Sequence, residues 1–113
     1  NTNVELWGDG SQKRELLHVK DFIKIMLSLE NRCENEVVNI AAKKDYEIKY
    51  LAKIICKIVG YPYKRIIFNQ QKFIGPRSKK LLIKKLEKYV PSYKFITLND
   101  GLLETIKYLK KII

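Results

Sequence analysis

Hydrophobic and polar positions alternate along this chain in short bursts. Val4-Glu5-Leu6-Trp7 predicts a short strand entering the turn Gly8-Asp9-Gly10-Ser11. After the polar stretch Gln12 to Glu15, Leu16-Leu17-His18-Val19 reads as a second extended run. Phe22, Ile25, Met26 and Leu29 then share one helical stripe, with Asp21 as its cap or first-turn acid. Residues 31–36 are polar and predict a loop, and Val37-Val38-Asn39-Ile40 predicts a strand of the buried type.

The strongest helical signal follows. Ile48, Leu51, Ala52, Ile55, Ile58 and Val59 lie on one face at 3.6-residue periodicity, and Lys49, Lys53 and Lys57 lie on the other. Asp45 and Glu47 suit the positive end of that helix, and Gly60 with Pro62 ends it. Arg65 to Phe68 predicts a further strand, residues 69–80 the longest polar loop, and Leu81 to Lys88 a short helix. Pro91 marks a break, and Tyr93 to Ile96 reads as briefly extended. Thr97 caps a last helix, with Asp100 completing a variant capping box and Leu102, Ile106, Leu109 and Ile113 as its buried stripe. With no internal repeat and no low-complexity linker, the pattern predicts one α/β domain over 1–113, a small mixed unit of short strands and three to four helices.

Composition narrows the function classes. The 113 residues are 46% hydrophobic and 31% charged, enough to build a core and unlike a disordered tail. No apolar run approaches the ~20 residues of a membrane span, and no signal-peptide pattern opens the chain. Cys33 and Cys56 are 23 residues apart, which makes neither a disulfide framework nor a zinc site and fits a reducing cytoplasm. One histidine excludes a multi-histidine metal centre, and no GxGxxG, GxxxxGK[ST] or GxSxG occurs. His18 has no nucleophile beside it and reads as structural. A chain that opens on Asn1 reads as a segment of something longer, or as a processed product.

The net charge of +11 is uneven: residues 1–42 hold five Lys and Arg against seven Asp and Glu, and residues 43–113 hold 18 against five. Such a field attracts nucleic acid, anionic lipid or phosphorylated ligands. Against nucleic acid, the lysines are spread around helices and are not interleaved with aromatic stacking platforms. Nineteen of the 23 cations are lysine, a composition that also arises as a solvated helix surface.

Trp7, the glycine turn and Arg14 place an indole and a guanidinium around one tight loop. A guanidinium fork suits a pair of phosphate oxygens, and an indole suits the face of a base or sugar. A second basic loop carries Lys72, Arg77, Lys79 and Lys80 around Gly75-Pro76. On spacing alone, Arg14 serves equally as an ion-pair partner of Asp9 or Glu15, and Trp7 equally as a core or interface plug.

The run from Trp7 to Asp21 (WGDGSQKRELLHVKD) resembles the W-G-x-G-x-x-x-R-[ED]-[FL]-[LV]-[HY]-V-x-D signature of NAD(P)-dependent sugar-nucleotide epimerases and dehydratases, which are extended short-chain dehydrogenases. Its Arg-Glu-Leu-Leu-His-Val form is most similar to the GDP-L-fucose synthases. Val38-Asn39-Ile40-Ala41-Ala42 with Ile48-x-x-Leu51-Ala52 and Val59-Gly60-Tyr61 resembles the family's next segment. Phe95-Ile96-Thr97-Leu98-x-x-Gly101-Leu102-x-x-Thr105-Ile106 resembles its closing helix start. The resemblance implies the C-terminal, substrate-binding part of such an enzyme, with the Rossmann domain absent. NAD or NADP would be bound by that missing N-terminal domain, and this fragment would hold no cofactor and carry no catalytic residue. It implies a nucleotide-diphosphate sugar as ligand, contacted by Trp7, Arg14, Lys72, Arg77 and Lys79; Ser78 stands at the family's arginine register, with Arg77 and Lys79 flanking it. It further implies a Rossmann domain of the same or a companion chain as partner, with a homodimer as the other packing arrangement, and no membrane. Two departures stand out: Leu82 replaces the family's aspartate, and Ala41-Ala42 replaces a glycine-containing turn. A small basic nucleic-acid or interaction module without catalytic activity is the competing reading.

Overall fold

In the computed structural model, residues 2–113 are described. The elements in chain order are β1 (Val4–Trp7), β2 (Lys13–Glu15), α1 (Val19–Glu30), β3 (Asp45–Glu47), α2 (Ile48–Val59), a 3₁₀ turn (Tyr63–Arg65), β4 (Ile66–Asn69), β5 (Ser78–Lys79), α3 (Lys84–Tyr89) and α4 (Leu98–Ile112). They make the mixed α/β unit that the sequence pattern predicts. β1 and β4 pair in parallel, Val4 opposite Ile66 and Trp7 opposite Asn69. β2 lies between β3, antiparallel to it, and β5, parallel to it, with Arg14 opposite both Tyr46 and Lys79.

The early part of α1 differs from expectation. The second strand is Lys13–Glu15, and the Leu16–Val19 run is not extended throughout, because Val19 already opens the helix. His18 is the N-cap: its Nδ1 accepts the Lys20 backbone N–H at 3.2 Å. Asp21 sits in the first turn, yet its side chain is buried and bonds to the far end of the chain. Its Oδ1 accepts the Tyr93 hydroxyl at 2.8 Å and its Oδ2 the Ile96 backbone N–H at 3.0 Å. These bonds hold residues 93–96 against α1 without any strand there.

Ile25 and Leu29, one and two turns after Asp21, pack against Leu86 and Val90 at α3, with Val38, Ile40, Tyr93 and Phe95 around them. α2 behaves as its periodicity predicts, except that Cys56 is buried with Leu51 and Ala52 while Ile55 and Val59 remain partly exposed. Gly60 ends α2 at φ 72°, where a left-handed residue turns the chain and its N–H satisfies the Cys56 carbonyl. α3 is shorter than expected and starts at Lys84. In α4, Thr97 caps as predicted, its Oγ1 accepting the Asp100 N–H. The predicted buried stripe fails toward the C-terminus, where Leu109 and Ile113 are exposed.

Val37–Ile40 forms no strand among the described residues, and Val37 is 84% exposed. Only eight hydrophobic residues are buried among those described. The accessible surface is 8651 Å², against roughly 6,500 Å² for a compact chain of this mass. The radius of gyration is 16.7 Å, against about 13 Å for a compact chain of this length. No helix among the described residues is long and apolar enough to cross a membrane.

The Asp21 network carries a pH signature. Desolvation first, then the bond to the Asp21 carboxylate, pushes the Tyr93 hydroxyl up to about 12 from an ordinary 10. The protonated phenol is therefore favoured in the folded state, and its contribution is complete below pH 10 and lost as pH rises from 10 toward 12. Urea titrations should show stability falling across that window in the wild type and a flatter profile for Tyr93→Phe. Asp21→Ala should lower stability by about 1–3 kcal/mol at neutral pH, because two half-buried donors lose their acceptor.

Candidate nucleotide-sugar site

The turn after β1 is set by two glycines that no other residue replaces without strain. Gly8 has φ 86° and Gly10 has φ 80°. A Cβ at Gly8 would drive into the Ile74 side chain, and one at Gly10 would lie 2.6 Å from the Phe68 ring and 2.8 Å from Lys49 Cβ. Inside the turn, Asp9 Oδ1 accepts the Ser11 backbone N–H at 2.9 Å and its hydroxyl at 2.6 Å. Those hydrogen bonds, the hydroxyl's first, hold the Asp9 carboxyl below its ordinary value. Gln12 is buried, and its Nε2 donates to the Trp7 carbonyl at 2.8 Å.

The turn is bonded to three other parts of the chain. Gly8 N–H donates to Asn69 O at 2.8 Å, joining it to the end of β4. Ile48 N–H donates to Gln12 O and Lys49 N–H to Gly10 O, each at 2.9 Å, so turn carbonyls satisfy the start of α2 where Glu47 supplies no side-chain cap. Lys13 N–H donates to Arg77 O at 2.7 Å, bringing the basic loop alongside β2. The two basic loops of the sequence are thus neighbours in space.

The predicted site residues fall into three groups. Trp7 ends β1 and is 56% exposed, and Lys72 Nζ lies 5.8 Å from the indole centroid, a cation–π contact. Lys72 and Arg77 face one open cleft of about 180 Å³, with Gly8, Asp9, Gln70 and Ile74 completing its walls. Arg14 has turned to the backbone of the same loop. Its Nη1 donates to Pro76 O at 2.9 Å and to Lys13 O at 2.6 Å, and its Nη2 to Ile74 O at 2.9 Å. Three of the five N–H donors of a guanidinium are thereby engaged, and neither Asp9 nor Glu15 pairs with it. Lys79 pairs with Arg14 in strand register, is exposed and does not line the cleft.

Sequence reasoning did not anticipate a larger hollow of about 520 Å³, bordered by Leu17, His18, Tyr46, Phe95 and Leu102. None of the predicted site residues lines it. Its walls are mainly apolar, whereas the smaller cleft carries the cations that a phosphate requires. His18 is structural here, capping α1 through Nδ1 while Nε2 faces Glu104 Oε2 at 3.6 Å. Among the described residues no group of three or more His, Cys, Asp or Glu side chains could hold a metal ion. The Gly8–Gly10 turn leads into strand β2, unlike the glycine turn of a dinucleotide fingerprint, which opens a helix.

Residues 1–48 match the NAD dependent epimerase/dehydratase family. The chain is related to the sugar-nucleotide epimerases and dehydratases. It is 34% identical to the GDP-L-fucose synthase of Escherichia coli strain K12, a match covering 94% of this chain and 36% of that protein. It is 28% identical to a dTDP-4-dehydro-6-deoxy-D-allose reductase of Streptomyces bikiniensis, covering 95% of this chain and 32% of that one. In three dimensions it superimposes on the UDP-glucose 4-epimerase of Thermotoga maritima, solved with UDP-glucose, at a TM-score of 0.84 and 25% identity over 97% of this chain and 35% of that one. The chain therefore spans about a third of the length of the relatives it matches.

Gly8→Ala and Gly10→Ala should each destabilise the fold by about 1–3 kcal/mol, since both force a side chain into a left-handed, close-packed position. Gly60→Ala has the same backbone cost with open space around its Cβ, so it should lose less than Gly10→Ala in thermal melts. Equal losses at Gly10 and Gly60 would show that packing around the turn contributes nothing.

Proposed function

We propose that residues 1–113 are the sugar-nucleotide-binding part of a longer NAD(P)-dependent epimerase, dehydratase or reductase, with GDP-L-fucose synthase the relative of choice for its chemistry. The diphosphate of the sugar nucleotide lies in the cleft between Lys72 and Arg77, and Trp7 presents its exposed ring to the base or sugar. Arg14 acts chiefly as a positioning residue, because its guanidinium fixes the carbonyls of Ile74 and Pro76 and so the loop that carries both cations. The two donors it retains are available to a phosphate oxygen. Lys79 adds field without direct contact. The observation that carries this reading is the convergence of Trp7, Lys72 and Arg77 on one turn from segments some 60 residues apart.

The nicotinamide cofactor belongs to residues other than 1–113, in a Rossmann domain of the same or a companion chain. The part played here is to hold the sugar nucleotide in one pose, which lowers the entropic cost of bringing it to the reacting centre. No step of the reaction itself is assigned to these residues.

Calorimetry with GDP-, UDP- and dTDP-sugars tests the proposal. Lys72→Ala and Arg77→Ala should each weaken binding by about tenfold, the effect of one lost charge-assisted contact of about 1.4 kcal/mol. Arg14→Ala should weaken binding and also lower the melting temperature, whereas the two loop variants should leave melting unchanged. Unaltered affinity in both loop variants would remove the cleft from the site. The +13 balance of residues 43–113 favours one other reading, nucleic-acid binding. That reading requires retention of DNA or RNA with a steep salt dependence in gel shifts.

A further inference from the structure

We propose that the solvent face of α2, with the 3₁₀ turn that follows it, binds single-stranded nucleic acid: Lys53, Lys57 and Lys64 take the phosphates and Tyr50 stacks on a base. This surface is separate from the sugar-nucleotide cleft, since none of these residues lines it. Its binding is a second property of the chain and does not rest on the reading given to the cleft.

The positive charge of the chain has a definite location. Residues 48–86 contain eleven Lys and Arg and no Asp or Glu, which matches the whole net charge of +11. Within that run α2 turns ~100° per residue, so Lys49, Tyr50, Lys53 and Lys57 fall in one arc of roughly 100°. All four are exposed, while Leu51, Ala52 and Cys56 are buried on another side of the helix. The lysines follow one another at four-residue steps, about 6 Å along the axis, a spacing at which like charges repel. A solvated helix face relieves such repulsion by alternating acid with base. Here Glu47 meets Lys49 at 3.2 Å, and among the described residues no carboxylate pairs with Lys53, Lys57 or Lys64. An anionic strand relieves the repulsion instead, and release of its counterions drives binding.

The class of partner follows from what stands among these cations. The expected separation of lysines from stacking platforms does not hold on this face. Tyr50 stacks on Tyr46, with ring centroids 5.9 Å apart and 16° between the planes, and is itself 48% exposed. Lys44 Nζ lies 5.4 Å from the Tyr46 centroid. Lys53 Nζ lies 5.4 Å from the Tyr63 centroid, which ties the turn that carries Lys64 to the α2 face. Rings set among cations are the platform on which unpaired bases stack while the backbone is held. A duplex hides the faces of its bases and would leave Tyr50 unused. A bilayer is disfavoured because Ile55 and Val59, the exposed aliphatic residues of α2, lie roughly 130–170° around the helix from the middle of the lysine arc.

Fluorescence anisotropy with a labelled oligothymidylate tests the proposal on this chain. Binding should appear at low salt and weaken as salt rises, with log K against log salt falling at a slope of about −2 for three phosphates of a single strand. Lys53→Gln combined with Lys57→Gln should weaken binding by about tenfold or more and flatten that slope by about 1.4. Tyr50→Leu should weaken it by about tenfold with the slope unchanged, since stacking releases no counterion. Lys110→Gln combined with Lys111→Gln removes the same charge from α4 and should change affinity by no more than about twofold. All five positions are exposed, so melting temperatures should stay at the wild-type value. A chain that does not bind the oligonucleotide at low salt overturns the proposal. Equal losses from the α2 and α4 double variants overturn it too, because net charge alone would then explain the binding. So does equal affinity for the duplex annealed from oligothymidylate and oligoadenylate, for polyglutamate or for anionic vesicles.

Discussion

The Gly8–Gln12 turn is the constraint on which the rest of the candidate site depends. Three of its backbone polar groups, and that of Lys13 just after it, bond to distant parts of the chain. Gly8 N–H holds the end of β4, the carbonyls of Gly10 and Gln12 satisfy the first amides of α2, and Lys13 N–H holds the basic loop. These bonds require positive φ at both glycines and leave no room for a Cβ at either. A turn that serves only to reverse the chain would need neither the second glycine nor the close packing on Phe68 and Lys49. The consequence is that Lys72 and Arg77 face one cleft beside the turn, and Lys72 also lies against the Trp7 indole.

Much of this was legible from residue order because the signals were local. α2 has six apolar positions on one face and a glycine stop, Thr97 has its capping partner three residues on, and the WGDG turn carries its glycines where left-handed backbone needs them. What local pattern could not supply was the destination of polar side chains. Asp21 looked like a helix-end acid, but its carboxylate reaches Tyr93 and Ile96 more than 70 residues away. Arg14 reads by position as a ligand contact or a neighbour's ion pair, and local pattern does not show that its guanidinium also donates to the backbone carbonyls of Ile74 and Pro76. The WGDG-to-His-Val-x-Asp resemblance identified the family correctly. It is silent on this division of labour between the residue that holds the loop and those that face the cleft.

The misplaced elements share one physical cause. The pattern predicts a buried strand at Val37–Ile40 and a long buried stripe on the last helix, and both are covered only in part: Val38, Ile40, Leu102 and Ile106 are half-buried, while Val37, Leu109 and Ile113 are exposed. Their patterns encode burial that 113 residues do not provide. The large surface, the long radius of gyration and the eight-residue buried set point the same way, and so does the match to about a third of each relative. Sequence pattern reports what a segment is built to contact, whether or not that contact lies within the same chain.

Backbone and indole chemical shifts followed during titration with GDP test the central claim most directly, because they show where a sugar nucleotide's common part binds. The Trp7 indole N–H, the amides of Gly8 and Gly10 and those of residues 72–77 should move together and saturate on one curve. Shifts confined to His18, Tyr46, Phe95 and Leu102 around the larger hollow, or no saturable shift at the turn, would contradict the account.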